Sequence, residues 1–359
     1  MGTPGLPYAC PVTPAELSRT VLRSVRGAVE EQELSVSVPA RIVVQPSPRP
    51  GCGDYASNVA LQLARQAGRP AREVAEILRK RLSGSAGIAR VEIAGPGFLN
   101  FTLGDGAQVE LVRDVLAQGD AYGGAAAGQG PVTADPATDP AGDARAAVVA
   151  EVLARIDAAA GPAGRRADGQ PVLASTPYDL ATLVARLGAD EARWVLLRPA
   201  AQDPVRVPER PVQRESNPRF RVQYAHARAR ALGRYARELG FGSEPGDVGA
   251  PVRGHAADDG SSDGAGSAAQ ALKSFHTLLA TYPAVVESAA RLRAPDRVVR
   301  HLEATADAFF RWHDIYPPLP VGEQKPLAVH RARLALAEAG RTVLANGLRL
   351  LGISAPEHL

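Results

Sequence analysis

Apolar positions recur with two periods along this chain, and the change of period divides it. Leu17, Val21, Val25 and Ala28 fall at helical spacing behind Thr13-Pro14-Ala15-Glu16, a capping box with proline at the first helical position. The pattern predicts a first helix over about 14–31. Val36, Val38, Ile42 and Val44, in two short runs, predict strands. Asp54 predicts the opening of a helical segment that breaks at Gly68 and Pro70, after which a second helix continues to about Leu82. Val91-Glu92-Ile93-Ala94 and Phe98-Leu99-Asn100-Phe101-Thr102-Leu103 then alternate with period two around Gly95-Pro96-Gly97, a hairpin pattern. The first 104 residues read as a small α+β domain.

From Gly119 to Gly169 the composition shifts to Ala, Gly, Asp and Pro, with one helical island near Ala146 to Ile156, and most of it reads as linker. Tyr178 to Leu197 is helical, and Pro199 to Arg214 is too rich in proline for a regular element. From Pro218 the chain reads all-α. Helices are predicted over about 268–281, 283–292, 295–314 and 326–351, giving a bundle of five with the one that starts near Asn217. The last carries Leu344, Leu348 and Leu351 on one face, and Gly352 with Pro356 ends it. The stretch 243–266 interrupts the bundle with Gly, Ser, Asp and Pro and predicts a mobile loop. The fold class is therefore α+β, with an N-terminal small α/β sandwich-like domain (1–110), a linker (111–170), a connector (171–215) and a C-terminal all-α helical bundle (216–359).

With 359 residues and 45% hydrophobic content the chain has room for two or three domains. No apolar run approaches the roughly 20 residues of a bilayer span, and the N-terminus lacks the regions of a signal peptide, so no membrane partner and a cytoplasmic location are expected. Cys10 and Cys52 have no Cys or His at metal spacing, and neither a zinc site nor a structural disulfide is expected. A net charge of +3 says little by itself. Its distribution says more: lysine stands only at Lys80, Lys273 and Lys325, leaving nearly all cationic charge on arginine, whose planar fork matches phosphate. A GC-rich genome gives the same bias. Between Arg214 and Glu238 seven arginines face two glutamates, with Arg230, Arg234 and Arg237 on one helical face and Val222, Ala225, Ala229, Leu232, Ala236 and Leu239 on the other. Such a stripe suits phosphate contacts, or is simply a solvated face. The histidines are scattered. His226 and His330 lie on predicted helices, and His301, His313 and Asp314 match no ligand template. With no Walker loop and no Gly-x-Ser-x-Gly elbow either, no catalytic residue, metal or cofactor is expected.

Gly53-Asp54-Tyr55-Ala56-Ser57-Asn58-Val59-Ala60 and Ile93-Ala94-Gly95-Pro96-Gly97-Phe98-Leu99-Asn100-Phe101 resemble the N-terminal additional domain of arginyl-tRNA synthetases. Asn217-Pro218-Arg219-Phe220-Arg221-Val222-Gln223-Tyr224-Ala225-His226-Ala227-Arg228 resembles the opening of their DALR-type anticodon-binding bundle, and Val343 to Leu359 resembles its last helix and tail. These stretches stand in family order and cover about two thirds of the chain. The resemblance implies a domain that contacts the tRNA elbow and reads a D-loop base beside the hairpin, where Phe98, Asn100 and Phe101 are the matching positions. An aromatic face with an amide beside it is how an unpaired RNA base is usually held. Three positions apart on a strand, Phe98 and Phe101 point to opposite faces, so at least one belongs to the core. In the bundle, Tyr224 matches the family's tyrosine on the anticodon side, and Arg228 is the first candidate for a phosphate contact, joined by Arg230, Arg234 and Arg237. Family members usually end in a methionine near the anticodon loop, whereas this chain ends His358-Leu359, which implies a drifted anticodon preference.

The family's chemistry needs a nucleotide-binding domain with His-x-Gly-His and Lys-Met-Ser-Lys motifs. Asp135 to Val149 resembles the first, with Pro140 and Asp143 at the two histidine positions. A carboxylate beside ATP phosphates opposes the charge stabilisation that adenylation requires. Tyr178 to Arg198 resembles the helix after the second motif and the stem that follows, but Gly164 to Gly169 holds no lysine and no Met-Ser pair, only Arg165 and Arg166 as a conceivable remnant. Too few residues separate Ile156 from Arg165 to build the missing sheet. The resemblance thus implies a catalytically inactive, tRNA-binding paralogue, a pseudoenzyme, with arginine tRNA the first candidate partner. Residual arginine-tRNA ligase activity stays open. So does a protein-interaction or regulatory role, with the bundle docking on a true synthetase or another tRNA-using enzyme.

Overall fold

Thr13 opens the first helix by the reciprocal bonds its sequence predicts: its N–H donates to Glu16 Oε2 (2.9 Å), and the Glu16 N–H returns to Thr13 Oγ1 (3.3 Å). The computed structural model describes residues 13–47, 52–104, 106–124, 143–164, 171–209, 214, 216–250 and 262–359. They fall into two units, Met1–Asp114 and Val115–Leu359.

In the first unit, α1 (Pro14–Glu30) buries Leu17, Val21, Val25 and Ala28. The elements that follow are β1 (Gln45–Pro46), β2 (Tyr55–Ser57), α2 (Val59–Ala67), α3 (Ala71–Leu82), β3 (Ile88–Ala94) and β4 (Phe98–Leu103). The strands make one antiparallel sheet in the order β1-β2-β4-β3. Leu99 and Phe101 point from β4 into a core shared with Val59, Val74, Leu78 and the α1 face. Two expectations change. Asp54 does not open a helix: its N–H donates to Phe101 O (2.7 Å) and its carboxylate accepts from the Leu103 N–H (2.9 Å), which fastens the approach to β2 onto β4. Aspartate serves helix starts and strand junctions equally well, and only the partner strand decides. Val36 to Val44 forms no strand. Leu34 and Ile42 are buried and hold the segment, while Val38 and Val43 stay exposed.

The boundary between the units falls within α4 (Ala107–Gln118). The second unit continues with α5 (Ala144–Gly164), α6 (Leu180–Leu187), α7 (Ala189–Leu197), α8 (Pro218–Glu238), α9 (Ser262–Leu292), α10 (Asp296–Ile315) and α11 (Ala328–Leu350). Helices α8, α9, α10 and α11 pack as a bundle, with α5 against α9 and α7. Where one helix was expected over 178–197, Gly188, at φ +82°, separates α6 from α7. The expected break at Pro283 is absent, and α9 runs through it. Gly347 of α11 meets the Leu302 side chain of α10 so closely that a Cβ would lie 2.4 Å from it. The ends of the stretch predicted as a mobile loop have partners in the bundle. Ser243 Oγ donates to Glu338 (2.5 Å), Arg333 donates to the carbonyls of Val248 and Ala250 (3.1 Å each), and Ser262 to Gly266 belong to α9. Residues 251–261 of that segment lie outside the described ones. Composition gave no apolar reason for order at 243–250; contacts with α11 supply it.

Candidate nucleic-acid interface

Period two on β4 sorts the hairpin residues. Phe98 and Asn100 share one face and Leu99 and Phe101 the other. Phe98 is 41% exposed, Asn100 8% and Phe101 0%. A ring without exposed surface has no face to offer a base, so Phe101 is a core residue and leaves the set of elbow contacts. Phe98 presents its ring at the hairpin end. Asn100 lies deeper on the same face, paired in register with Ala56 on one side and Glu92 on the other. The turn between the strands sits hard against α3: Gly97, at φ +145°, would place a Cβ 2.9 Å from the Ala71 carbonyl oxygen, so only glycine fits.

On α8 the cap is Asn217, whose Oδ1 accepts from the Arg219 N–H (2.9 Å) while its amide donates to the buried Glu191 (2.8 Å). Glu191 also receives Arg219 (2.5 Å). Tyr224 stacks on Phe220 one turn earlier (centroids 6.0 Å apart) and on Phe310 of α10 (5.5 Å), and Arg221 lies over Phe310 at 4.8 Å while bonding Asp307 (2.5 Å). The row Phe220, Tyr224, Phe310 is half-buried. Tyr224 is committed to two neighbouring rings, which makes it the middle of an aromatic strip rather than a lone stacking platform. Arg228 stands half-exposed farther along α8, close enough to His313 that its charge adds to burial in lowering that imidazole's pKa. Phe220 was within reach of sequence reasoning at four residues from Tyr224. Phe310, 86 residues on, was not.

The arginine stripe is not open as expected. After Gly352 the tail lies along α8: Ser354 N–H donates to Asp190 (3.1 Å), Gln223 donates to the Ser354 carbonyl (2.9 Å), and His226 Nδ1 donates to the Pro356 carbonyl (3.0 Å). Burial, ahead of the nearby charges, keeps His226 neutral by lowering its pKa. Glu357 then bonds Arg230, and Arg234 reaches the Glu357 carbonyl and His358 (3.5 Å each). Arg237 turns back onto the Gly233 carbonyl (3.2 Å). Two of the three stripe arginines are thus occupied by the chain's own tail, and Leu239, placed on the apolar face by its spacing, is 52% exposed. The tail is aimed by the end of α11, where Arg193 donates to the Leu351 carbonyl (3.1 Å) and Arg155 to that of Arg349 (3.5 Å), both held by Glu151.

Residues 19–103 match the family model described as the arginyl tRNA synthetase N terminal domain, and residues 222–359 match that of the DALR anticodon binding domain. The chain thus carries an arginyl tRNA synthetase N terminal domain and a DALR anticodon binding domain. It is 27% identical to an arginine–tRNA ligase of Frankia alni in an alignment of 569 positions that takes in 97% of this chain and all of the relative. A ligase of Paenarthrobacter aurescens is 40% identical over 183 residues, half of this chain, but only 30% of that relative's length is covered. The fold is also that of the Thermus thermophilus arginyl-tRNA synthetase, with a TM-score of 0.57 at 14% identity over 97% of this chain and 100% of the solved one.

Between the two matched domains, the positions that resemble the family's catalytic motifs do structural work or lie outside the described residues. Pro140, Arg165 and Arg166 are outside the described residues. Asp143 accepts from the Arg145 N–H (2.9 Å), in the manner of a helix cap for α5. Arg145, 1% exposed, donates to the carbonyls of Ala174, Leu196, Pro199, Ala200, Ala201 and Asp203 at 2.8 to 3.3 Å. A cleft of about 960 Å³ lies beside α7 and the starts of α8 and α10, with Arg198, Arg206, Arg300 and Glu303 among its lining. Arg198 pairs with Glu303 (2.7 Å) and Arg300 with Asp296 (2.8 Å), and among the described residues no histidine or cysteine lines the cleft. Among the described residues no group of His, Cys, Asp and Glu is arranged to hold a metal, and no helix is long and apolar enough to cross a membrane.

Proposed function

We propose that this chain is a tRNA-binding member of the arginyl-tRNA synthetase family that does not aminoacylate, acting in the cytoplasm. Its RNA contacts are assigned to an N-terminal segment (1–110) and the DALR bundle (216–359). Segment 111–170 is read as a catalytic-domain remnant and 171–215 as a stem-like connector. The observation that carries the reading is one of length. Two RNA-binding domains match at the ends, yet a chain of 359 residues is aligned over 569 positions, so more than a third of those positions hold no residue of this chain. The use of Arg145 as a buried clamp and of Asp143 as a cap supports it, since groups tied up in this way are not free to stabilise a phosphoryl transition state. Tyr224, Arg228 and the neighbouring rings are assigned to the anticodon side, and Phe98 with Asn100 to the elbow. Arg230 and Arg234 would hold the tail, and phosphate only where the tail yields.

The test is a pair of measurements on the purified full chain. Filter binding of an arginine tRNA transcript is expected to give an affinity that falls steeply with salt, and arginine-dependent pyrophosphate exchange is expected to stay at background. A second reading, arginine-tRNA ligase activity, is favoured by the alignment reaching both ends of the Frankia alni ligase. Clear exchange or aminoacylation would establish that reading and remove the first.

A further inference from the structure

The residues after Gly352 meet α8 in two different ways. Ser354 is held by Asp190, whose carboxylate accepts from its N–H (3.1 Å) and its hydroxyl, and by Gln223, whose amide donates to its carbonyl (2.9 Å) and its Oγ (3.2 Å). His226 holds the Pro356 carbonyl at 3.0 Å. Gln223 and His226 are 2% and 3% exposed, so the first half of the tail, 354–356, is anchored on buried donors that would lose their acceptors if it left. The second half, 357–359, is held from outside. Glu357 bonds Arg230 with the two side chains 59% and 37% exposed, and Arg234 reaches the Glu357 carbonyl and His358 only at 3.5 Å. Bonds of that length are weak, and an exposed ion pair contributes little. Arg230, Arg341 and Glu357 all act electrostatically on the His226 ring, so both α8 and α11 bring cations to the place where this tip lies.

We propose that residues 357–359 are a latch that competes with RNA phosphate for Arg230 and Arg234, opening from a fixed anchor at 354–356. The proposal rests on the tRNA-binding reading and adds to it the regulation of the bundle's cationic edge. A carboxylate and a phosphate use the same donors of a guanidinium fork, so Glu357 and a phosphate exclude one another at Arg230. An RNA backbone brings a phosphate for each arginine and releases counterions as it binds, whereas the tip brings a single carboxylate. Consecutive phosphates therefore displace the tip, and an isolated anion, with one contact to gain, does not. The anchor stays in place throughout, because its bonds run to buried groups that the RNA does not reach. The latch acts as a threshold: it lowers affinity for stray polyanion contacts and returns to Arg230 when the RNA leaves.

The test is a double-mutant cycle on the full chain, read as the affinity for an arginine tRNA transcript at about 100 mM salt. Glu357→Gln keeps the side chain's size and removes its charge. It should tighten binding about 2- to 5-fold, the measure of one exposed ion pair. Arg230→Gln should change the affinity of the unaltered chain little, since the contact it removes and the latch it releases offset one another, but it should abolish the gain in the Glu357→Gln chain. With Arg230→Gln already in place, Glu357→Gln should be neutral, because Arg234 bonds the Glu357 carbonyl and not its carboxylate. An equal gain from Glu357→Gln in both backgrounds would mean general electrostatics and overturns the latch. No gain in either background overturns it as well, while leaving tRNA binding intact. If neither the unaltered chain nor the Glu357→Gln variant binds at any salt, the tRNA reading itself fails, and the latch with it.

Discussion

A guanidinium removed from water needs acceptors for a full fork of donors, and Arg145 finds them on six backbone carbonyls from three separate stretches of chain. Burial lowers its pKa from the usual arginine value, with Asp143, Asp203 and Asp296 opposing that shift, and the group stays charged. Lysine would bring a point charge with three donors to a site shaped for a planar fork. Arg145→Lys is therefore expected to cost about 3 kcal/mol or more, read as a lower denaturant midpoint with earlier proteolysis in the connector around 171–203. Stability equal to that of the unaltered chain would mean that the carbonyls find water instead. The spacing Asp143-Ala144-Arg145 was visible in the sequence, but its partners lie 29 to 58 residues away, beyond any local pattern. Phe98 and Phe101 make the same point. Strand alternation required that they face opposite ways, and only the packing of α1, α2 and α3 decided which faces inward.

At the scale of elements, Pro283 is the instructive case. A proline inside a helix has no N–H for the carbonyl four residues earlier, here Leu279, and the sequence therefore predicts a break. The carbonyl is not left bare: Tyr122 Oη donates to it at 2.9 Å, from a turn 157 residues away, beside the stacked ring of Tyr282. Tyr122→Phe keeps the ring and removes the donor. It should cost about 1 to 3 kcal/mol, the penalty of an unsatisfied buried acceptor, and amide exchange around 279–283 should quicken. Unaltered exchange there would show that α9 tolerates the proline without help. Where the information was local, the sequence was enough. The capping box of α1, the Gly95-Pro96-Gly97 hairpin, the Asn217-Pro218 start of α8 and the glycine end of α11 lie where their residues predict. Asp54 and Val36 to Val44 were misread because aspartate and short valine runs are neutral until a partner strand is present or absent.

For the molecule, buried histidines set the response to acid. His276 and His301 sit inside the helical unit, where burial pushes each imidazole down to about 4. His226 and His313 shift in the same direction, again with burial as the first cause. Unfolded imidazoles bind protons as pH falls through about 6.5 while the folded ones resist to about 4. The stabilising contribution is thus complete above pH 6.5 and declines across that window, by up to about 1.4 kcal/mol per pH unit for each histidine. Both tryptophans, Trp194 and Trp312, belong to this unit and are buried, so their fluorescence reports its urea midpoint. The midpoint should hold steady from pH 8 to about 7 and then fall. A midpoint that does not move between about pH 7 and about pH 5 would sink the assignment. By itself the sequence determined α1 with its capping box, the start of α8, the end of α11, the hairpin, the two matched domains at the ends and the scarcity of residues between them, because caps, turns and periodicity act over a few positions. Tertiary structure alone decided that Phe101 is core, that Tyr224 lies in a strip with Phe310, that Arg145 is a clamp and that the tail occupies Arg230 and Arg234. Each of those outcomes depends on which buried donor meets which distant acceptor, and no local spacing encodes that.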